Sequence, residues 1–150
     1  MAQRASARGF TLIEVMIAVA IIGVLSMVAL PSFLDSMRKS RRAEAITALA
    51  ALQQAQERFR SSNAAYAAND VLTSALRVNA TTASGYYAIA ITAATATGYT
   101  ATASARNGTS QANDGNCKVL GVQMNAGNLS YGASATSTID WTDPNRCWAR

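Results

Sequence analysis

An uncharged and mostly apolar run near the N-terminus extends from Val15 to Leu34. A helix needs roughly 20 apolar residues to span the hydrocarbon core of a bilayer, which is about 30 Å thick. The run therefore predicts a membrane-spanning helix. Pro31 lacks a backbone N–H and clashes with the carbonyl one turn earlier, so we expect a kink or local opening near Met27 to Pro31. Gly23 weakens the helix further upstream.

After Asp35 the apolar residues recur at spacings of three and four, as in a helix with one buried face. This spacing predicts that the helix continues unbroken to about Ser62. Asp70 is a candidate cap for a short helix over Val71 to Leu76. The predicted buried face of the long helix consists of Ala45, Leu49, Leu52, Gln56 and Phe59.

From Gly85 onwards the period changes to two, which is typical of β-strands. In the first strand, Tyr87, Ile89 and Ile91 share one face. We interpret Asn125 to Asn128 as a four-residue hairpin connection between the last two strands. The pattern predicts an α+β fold, in which an antiparallel sheet of about four strands packs on the amphipathic half of the helix. The predicted strands are Tyr86–Thr92, Tyr99–Ala105, Lys118–Met124 and Leu129–Tyr131.

The start of the apolar helix contains one carboxylate, Glu14. A charge at the centre of a bilayer costs about 2.5–3.5 kcal/mol, so we expect this residue to have a function. The segment before the helix carries Arg4 and Arg8 and no acid. A secretory signal peptide is cut after its apolar region, whereas here the small residue Gly9 comes before it. Cleavage after Gly9 would leave the apolar helix on the mature protein, with Phe10 as the new N-terminus.

The hexapeptide Gly9-Phe-Thr-Leu-Ile-Glu14 and the apolar sequence after it resemble the class III signal of type IV pilins. The resemblance implies that a prepilin peptidase cuts between Gly9 and Phe10 and then N-methylates Phe10. It also implies that Glu14 neutralises the N-terminal amine of a neighbouring subunit, and pairing does offset much of the desolvation cost of two charges in hydrocarbon. In assembled pili of this family, the helix is partly melted between a glycine and a proline placed like Gly23 and Pro31.

Plainer interpretations of these helix residues stay open. Glu14 could lie near the interface and extend its carboxylate to water. Gly23 and Pro31 could reflect only the higher frequency of glycine and proline in membrane helices.

The length of 150 residues, with 50% hydrophobic and 14% charged residues, suits a folded chain with one domain. We expect a leader at residues 1–9, a transmembrane and assembly helix at 10–34, and a periplasmic domain at 35–150 that includes the second half of the helix. The positive-inside rule points the other way, because more Lys and Arg follow the apolar run than precede it. The resemblance and the two cysteines favour the periplasmic placement.

The two cysteines, Cys117 and Cys147, favour a disulfide in an oxidising compartment, with a free thiol pair as the alternative. Closing a loop of about 30 residues would contribute roughly 3–4 kcal/mol by the chain-entropy estimate. The bridge would hold Trp148 and the tail against the last strands. In the pilin family a C-terminal disulfide bounds an exposed surface loop, and these cysteines match that placement.

The chain contains no histidine, which excludes a Ser/His/Asp or Cys/His arrangement and a typical metal hydrolase site. We therefore expect no catalytic activity, cofactor or metal. Asp114, Asp140 and Asp143 lie among residues where carboxylates usually cap turns. The basic cluster Arg38-Lys39-Ser40-Arg41-Arg42 fits a solvated helix face better than a site for lipid headgroups or neighbouring subunits.

The sequence thus predicts a structural subunit of a type IV pilus, used in pilus assembly, twitching motility and adhesion. The chain would wait in the inner membrane and then enter the extracellular fibre through its N-terminal helix. Arg41–Ile46 and Gln53–Phe59 resemble PilE-type minor pilins. The expected partners are other pilins, prepilin peptidase and the inner-membrane pilus assembly machinery.

Three alternatives remain. A type II secretion pseudopilin shares the N-terminal signal. A DNA-uptake or adhesin pilin could use a basic, partly aromatic patch, although the mild charge of +5 gives no reason to expect nucleic acid. A membrane-anchored enzyme comes last, since no reactive group of residues is visible. The candidate patch is Arg77, Lys118, Arg146, Trp148 and Arg150.

Overall fold

The structure is a computed structural model that describes residues 9–142 and 146–148. Residues 1–8 of the predicted leader, with Arg4 and Arg8, lie outside this range, as do Asp143 and Arg150. The α+β prediction of one long helix and a four-stranded antiparallel sheet is confirmed for the described residues. The elements are α1 (Leu12–Arg60), β1 (Tyr87–Ala94), β2 (Gly98–Ala105), β3 (Val119–Asn125) and β4 (Asn128–Ser134), with short 3-10 helices at Asn69–Val71 and Ser110–Asn113.

The chain divides into two compact units between Met37 and Arg38, and residues of α1 belong to both. In the first unit α1 exposes apolar side chains on all sides; Phe10, just before it, is 85% exposed and Met27 is 80% exposed. By length and composition alone, the helix is able to cross a membrane. It is continuous through Gly23 and Pro31 in this single chain, so an opening there stays a prediction for the assembled fibre.

In the second unit α1 is amphipathic. The predicted buried face is confirmed at Ala45, Leu49, Leu52 and Gln56, whereas Phe59 is only partly buried. The helix ends at Arg60, two residues before the predicted end. The reason is local, because Ser62 Oγ and Asn63 Nδ2 donate to the carbonyl of Phe59 and replace the next helical hydrogen bond.

The sheet is a meander in the order β1-β2-β3-β4, with every neighbouring pair antiparallel. Tyr87, Ile89 and Ile91 are buried, as predicted. Ile89 pairs with Ala103, which pairs with Leu120 on the next strand. These residues belong to the same core cluster as the buried face of α1, so one face of the sheet packs on the amphipathic half of the helix.

Two local predictions are wrong. Asn125 pairs directly with Asn128, so the β3–β4 hairpin has a two-residue loop. Its residues, Ala126 and Gly127, have φ values of +47° and +86°, as a type I′ turn requires. The short helix near Asp70 is a 3-10 turn over Asn69–Val71 that no side chain caps.

The opposite face of the sheet is covered by the segment after β4. Ala133 and Asp140 exchange backbone hydrogen bonds, which turns this segment back over the strands. A Cβ atom added to Gly121 would lie 2.7 Å from Ile139 Cδ1 and 3.0 Å from the Trp141 ring. Glycine at this position therefore allows the segment to lie directly on the backbone of β3.

Candidate functional site

The predicted cleavage point lies just before the first helix. Gly9 and Phe10 are exposed and precede Leu12, where α1 begins. No heavy atom lies within 4 Å of a Cβ built on Gly9. The peptide bond after Gly9 is therefore open to an enzyme on its C-terminal side, while the leader before it lies outside the described residues.

Glu14 occupies the first turn of α1. Its backbone N–H donates to Thr11 Oγ1 at 3.3 Å, so Thr11 caps the helix. The carboxylate is exposed among apolar neighbours, and within residues 9–142 and 146–148 no basic side chain forms an ion pair with it. This arrangement leaves the carboxylate available to a group from outside the chain.

The disulfide joins Cys117, two residues before β3, to Cys147 in the tail, with 5.6 Å between the Cα atoms. Trp148 Nε1 donates to the carbonyl of Gly132 at 2.8 Å, and the Trp148 ring lies 4.7 Å from that of Tyr131. The expectation that the bridge holds Trp148 against the last strands is thus confirmed.

The structure brings together only part of the candidate basic patch. Lys118 follows one bridged cysteine, and Arg146 and Trp148 flank the other, so the disulfide places these three residues near one another. Arg77 lines a different cleft, beside Thr47 of α1. Arg150 lies outside the described residues.

Sequence reasoning missed Arg106 at the end of β2. The N–H of Ala105 donates to the carbonyl of Lys118 at 2.7 Å, which sets Arg106 beside the start of β3. The Arg106 side chain is exposed and donates to the carbonyl of Gly85 at 3.1 Å. The pairing of β2 with β3 brings the backbones of Arg106 and Lys118 close together, and single-sequence patterns do not give that register. We call Arg106, Lys118 and Arg146 the basic edge.

The prediction that the basic cluster Arg38–Arg42 is a solvated helix face is wrong for Arg41 and Arg42. The Arg41 guanidinium lies 3.8 Å from the centroid of the Tyr86 ring, a cation–π contact. Arg42 donates through Nε and Nη2 to the two carboxylate oxygens of Asp114, at 2.6 and 2.8 Å. Both arginines lie on the face of α1 that turns toward the connection between β2 and β3.

Asp114 is 1% exposed. Besides Arg42, it accepts hydrogen bonds from the backbone amides of Asn116 and Cys117 and from Gln111 Nε2. Burial alone would raise the pKa of its carboxyl, but the Arg42 guanidinium and these amides hold the pKa below its ordinary value. The expected turn cap is present here, and the buried ion pair was not predicted.

Tyr87 continues this buried network. Its hydroxyl accepts from Gln111 Nε2 at 2.8 Å, and burial raises its pKa to about 12. Of the other acids in predicted turns, Asp140 accepts from the N–H of Thr142 at 2.9 Å. Within the part of the chain that the structure describes, no group of three or more Cys, Asp and Glu side chains is placed to hold a metal.

Two family models match the chain. The family described as "Type IV minor pilin ComP, DNA uptake sequence receptor" matches residues 31–121, more than half of the 150-residue chain. The prokaryotic N-terminal methylation motif matches residues 4–30. This motif and the exposed apolar helix fit a protein anchored in the inner membrane before it enters an extracellular pilus.

Similar proteins include type IV pilins, fimbrial proteins and type II secretion core proteins. The type IV major pilin PilA of Myxococcus xanthus is 48% identical over 66 residues, which is 43% of this chain and 30% of that protein. The type II secretion system core protein G of Vibrio cholerae is 36% identical over 62 residues, 41% of this chain and 42% of that protein. Fimbrial protein EcpC of Eikenella corrodens is 28% identical over 141 residues, 93% of this chain and 90% of that protein.

The chain thus spans less than half the length of the first two relatives, whereas the likeness to the third extends over nearly all of it. Pilins of this kind are structural proteins that assemble with one another into fibres. From the match to residues 31–121, and in agreement with the long helix and the four-stranded sheet, the chain belongs to the type IV minor pilin ComP family.

Proposed function

We propose that this chain is a minor subunit of a type IV pilus, with a structural and not a catalytic role. The observation that carries the proposal is the part of α1 in the first unit, whose apolar side chains are exposed on all sides and which overlaps the methylation motif at residues 4–30. Such a surface is stable in lipid or against other apolar helices. Assembly would move the helix from the bilayer into a bundle of like helices, so that it stays out of water throughout.

The processing steps follow from the residues before the helix. Prepilin peptidase would cut the exposed Gly9–Phe10 bond and methylate the new amine of Phe10. Inside the bundle, the Glu14 carboxylate would pair with that amine on a neighbouring subunit, because each charge alone is costly in hydrocarbon. The pair would favour one axial register between subunits.

The first experiment measures the intact mass of the chain purified from its host membranes, with and without reduction. We expect a chain that begins at methylated Phe10 and gains two hydrogen atoms on reduction of Cys117–Cys147. Gly9→Leu should block cleavage, whereas Gly23→Ala, a helix position with open space around it, should be cut normally. An uncut wild-type chain would overturn the proposal.

A second experiment separates pilus from pseudopilus, since the relatives include a type II secretion protein. We expect the chain in sheared surface pili, and we expect Glu14→Gln to be cut and methylated but absent from them. The bundle register would then lack its charge pair. Loss of protein secretion with normal pili in a deletion strain would instead show that the chain is a pseudopilin.

DNA binding is a second candidate function, and it is favoured by the description of the matched family as a DNA uptake sequence receptor. This revises our expectation from composition, which gave no reason to include nucleic acid. The basic edge supplies cations, and the Asp114 charge below it is neutralised by Arg42. Lys and Arg that neutralise phosphates release counterions, which makes affinity strongly dependent on salt.

The geometry favours contact with the DNA backbone over stacking on bases. The Trp148 ring is held against Tyr131, and its N–H is used by the Gly132 carbonyl. An aromatic side chain fixed in this way is poorly placed to enter between bases. The cations of the basic edge lie on long side chains, and Arg106 and Arg146 are exposed, so phosphate contacts would dominate.

The test uses the full chain in neutral detergent micelles and a labelled DNA duplex over a series of salt concentrations. For each phosphate contact, the slope of log K against log salt should change by about 0.9. Arg106→Gln, Lys118→Gln and Arg146→Gln should each flatten the slope by about this amount. Arg77→Gln removes the same charge in a different cleft and serves as the control. If all four variants changed the salt slope equally, or if the wild-type chain did not bind DNA at low salt, the DNA-binding proposal would be wrong.

A further inference from the structure

The connection between β2 and β3 carries two of the three cations of the basic edge. It runs from Arg106 to Lys118, and we call it the β2–β3 loop. Asp114 is its only acidic residue. This acid is 1% exposed, so its carboxylate faces the protein interior and the loop presents only cations and uncharged side chains to solvent.

The Asp114 carboxylate connects three parts of the second unit. Arg42 from α1 donates to both of its oxygens. Gln111, in the short 3-10 helix Ser110–Asn113, donates to Oδ2 at 2.9 Å. The backbone N–H of Cys117, the residue directly before Lys118, donates to Oδ1 at 3.2 Å. One side chain therefore fixes the path of the loop relative to the helix and relative to the start of β3.

The neighbouring arginine adds a second tether to the same loop. Arg41 Nη1 donates to Ser110 Oγ while its guanidinium lies over the Tyr86 ring. Tyr86 accepts at its carbonyl from the N–H of Arg106, at 2.9 Å. The first cation of the loop is thereby tied to the same region of α1 as the last.

We propose that Asp114 is a positioning residue, which holds the β2–β3 loop so that Arg106 and Lys118 face the backbone of one DNA segment together. The inference rests on the DNA-binding function proposed above. Simultaneous contact requires a fixed spacing between two long, flexible cationic side chains. The buried carboxylate fixes the loop at Gln111 and at the backbone directly before Lys118, whereas the Arg106 end is held by the carbonyl of Tyr86.

The positioning role of Asp114 can be separated from the effect of its charge, because losing the one weakens DNA binding and losing the other strengthens it. Removing one negative charge, by electrostatics alone, would strengthen attraction to phosphates. Losing the position of the loop would weaken binding, because the phosphate contacts would no longer form together. The sign of the change therefore identifies the role.

The experiment compares Asp114→Asn with Asp70→Asn in the full chain, using a labelled DNA duplex at about 50–200 mM salt, the range over which phosphate contacts dominate. Both variants remove one acid, but Asp70 is exposed in a 3-10 turn outside the loop. We expect Asp114→Asn to bind more weakly than wild type, with a salt slope smaller by about 0.9 for each lost contact. Asp70→Asn should bind as tightly as wild type or more tightly.

A double variant, Arg42→Met with Asp114→Leu, guards against misfolding. It keeps the net charge and replaces a buried ion pair by an apolar pair, an exchange that folded proteins often tolerate. We expect it to keep the disulfide and the folded circular dichroism spectrum but to bind DNA with the reduced salt slope. Wild-type affinity and slope in this variant, or tighter binding by Asp114→Asn, would overturn the positioning role while leaving DNA binding intact. If the wild-type chain itself does not bind, the proposed DNA function fails, and the inference with it.

Discussion

Arg42 and Asp114 form a two-pronged ion pair, with Nε 2.6 Å from Oδ2 and Nη2 2.8 Å from Oδ1, across 72 residues of sequence. The side chains are 14% and 2% exposed, so the pair is largely removed from water. Breaking one partner of such a pair leaves an uncompensated charge in the interior. The contact thus makes the helix and the β2–β3 loop depend on each other.

We predict that Arg42→Met lowers the free energy of unfolding by about 3–5 kcal/mol, because it leaves the buried Asp114 carboxylate without its ionic partner. The measurement is urea denaturation of the full chain in detergent micelles, followed by the fluorescence of its tryptophans. Lys39→Met removes an exposed cation one turn earlier in α1 and should change the unfolding free energy by less than about 1 kcal/mol. Equal effects of the two variants would contradict the prediction.

The same pair predicts a dependence of stability on pH. The folded pKa of Asp114 is below its ordinary value of 3.8, so between the two values the unfolded chain binds more protons than the folded chain. The contribution of Asp114 is therefore fully present above the ordinary pKa and is lost as pH falls through the folded pKa. We expect the acid-induced loss of stability to be smaller in the Arg42→Met/Asp114→Leu variant, measured by urea denaturation below pH of about 4. The same acid-induced loss in both proteins would show that Asp114 is not its source.

The disulfide should contribute a large share of the stability of the second unit. Replacing Cys117 and Cys147 by serine opens a loop with a sequence separation of 30 residues. We expect the free energy of unfolding to fall by about 3–4 kcal/mol, by the chain-entropy estimate. The emission of Trp148 should also shift toward that of an exposed indole, since the bridge holds it against Tyr131. An unchanged urea midpoint in the serine variant would contradict this.

The fold was predictable from sequence because its main elements rest on local patterns. The apolar run, the spacing of Leu49 and Leu52, and the alternation of Ile89 and Ile91 each depend on residues close in sequence. The β3–β4 loop length was missed because Asn125 and Asn128 pair with each other, which makes the turn two residues long. The pattern of alternation does not show where pairing ends.

The candidate site was less predictable, because its contacts join distant parts of the chain. Arg42 looked like one of several exposed helix cations, and Asp114 looked like a turn residue between glycine and asparagine. Only the packing of the β2–β3 loop on α1 brings the two together. An aspartate between an asparagine and a glycine carries no sign of burial in a single sequence, since turn caps use the same residue types.

Glycine at position 121 is required by the segment that covers β3. An added Cβ would lie 2.7 Å from Ile139 Cδ1 and 3.0 Å from the Trp141 ring, so something would have to shift. We predict that Gly121→Ala lowers the free energy of unfolding by about 1–3 kcal/mol, as overpacking typically does. Gly115→Ala is the matched control, since a Cβ there meets no atom within 4 Å. A Gly121→Ala protein as stable as the control would mean that the covering segment moves aside at little cost.

Gln56 is the one polar residue on the buried face of α1, and its amide forms two hydrogen bonds with a single residue. Nε2 donates to the carbonyl of Ala67 and Oε1 accepts from the N–H of Ala67, both at 2.8 Å. Leucine at this position would leave both backbone groups buried and unpaired, at about 1–3 kcal/mol each. We therefore expect Gln56→Leu to lower the free energy of unfolding several-fold more than Gln54→Leu, whose side chain is exposed on the same helix.

Amide hydrogen exchange gives the sharper measurement, because the N–H of Ala67 should lose protection in Gln56→Leu and keep it in Gln54→Leu. Retained protection at Ala67 would show that the connection after α1 is held by other contacts, and the gain in buried apolar area would then make Gln56→Leu neutral or stabilising.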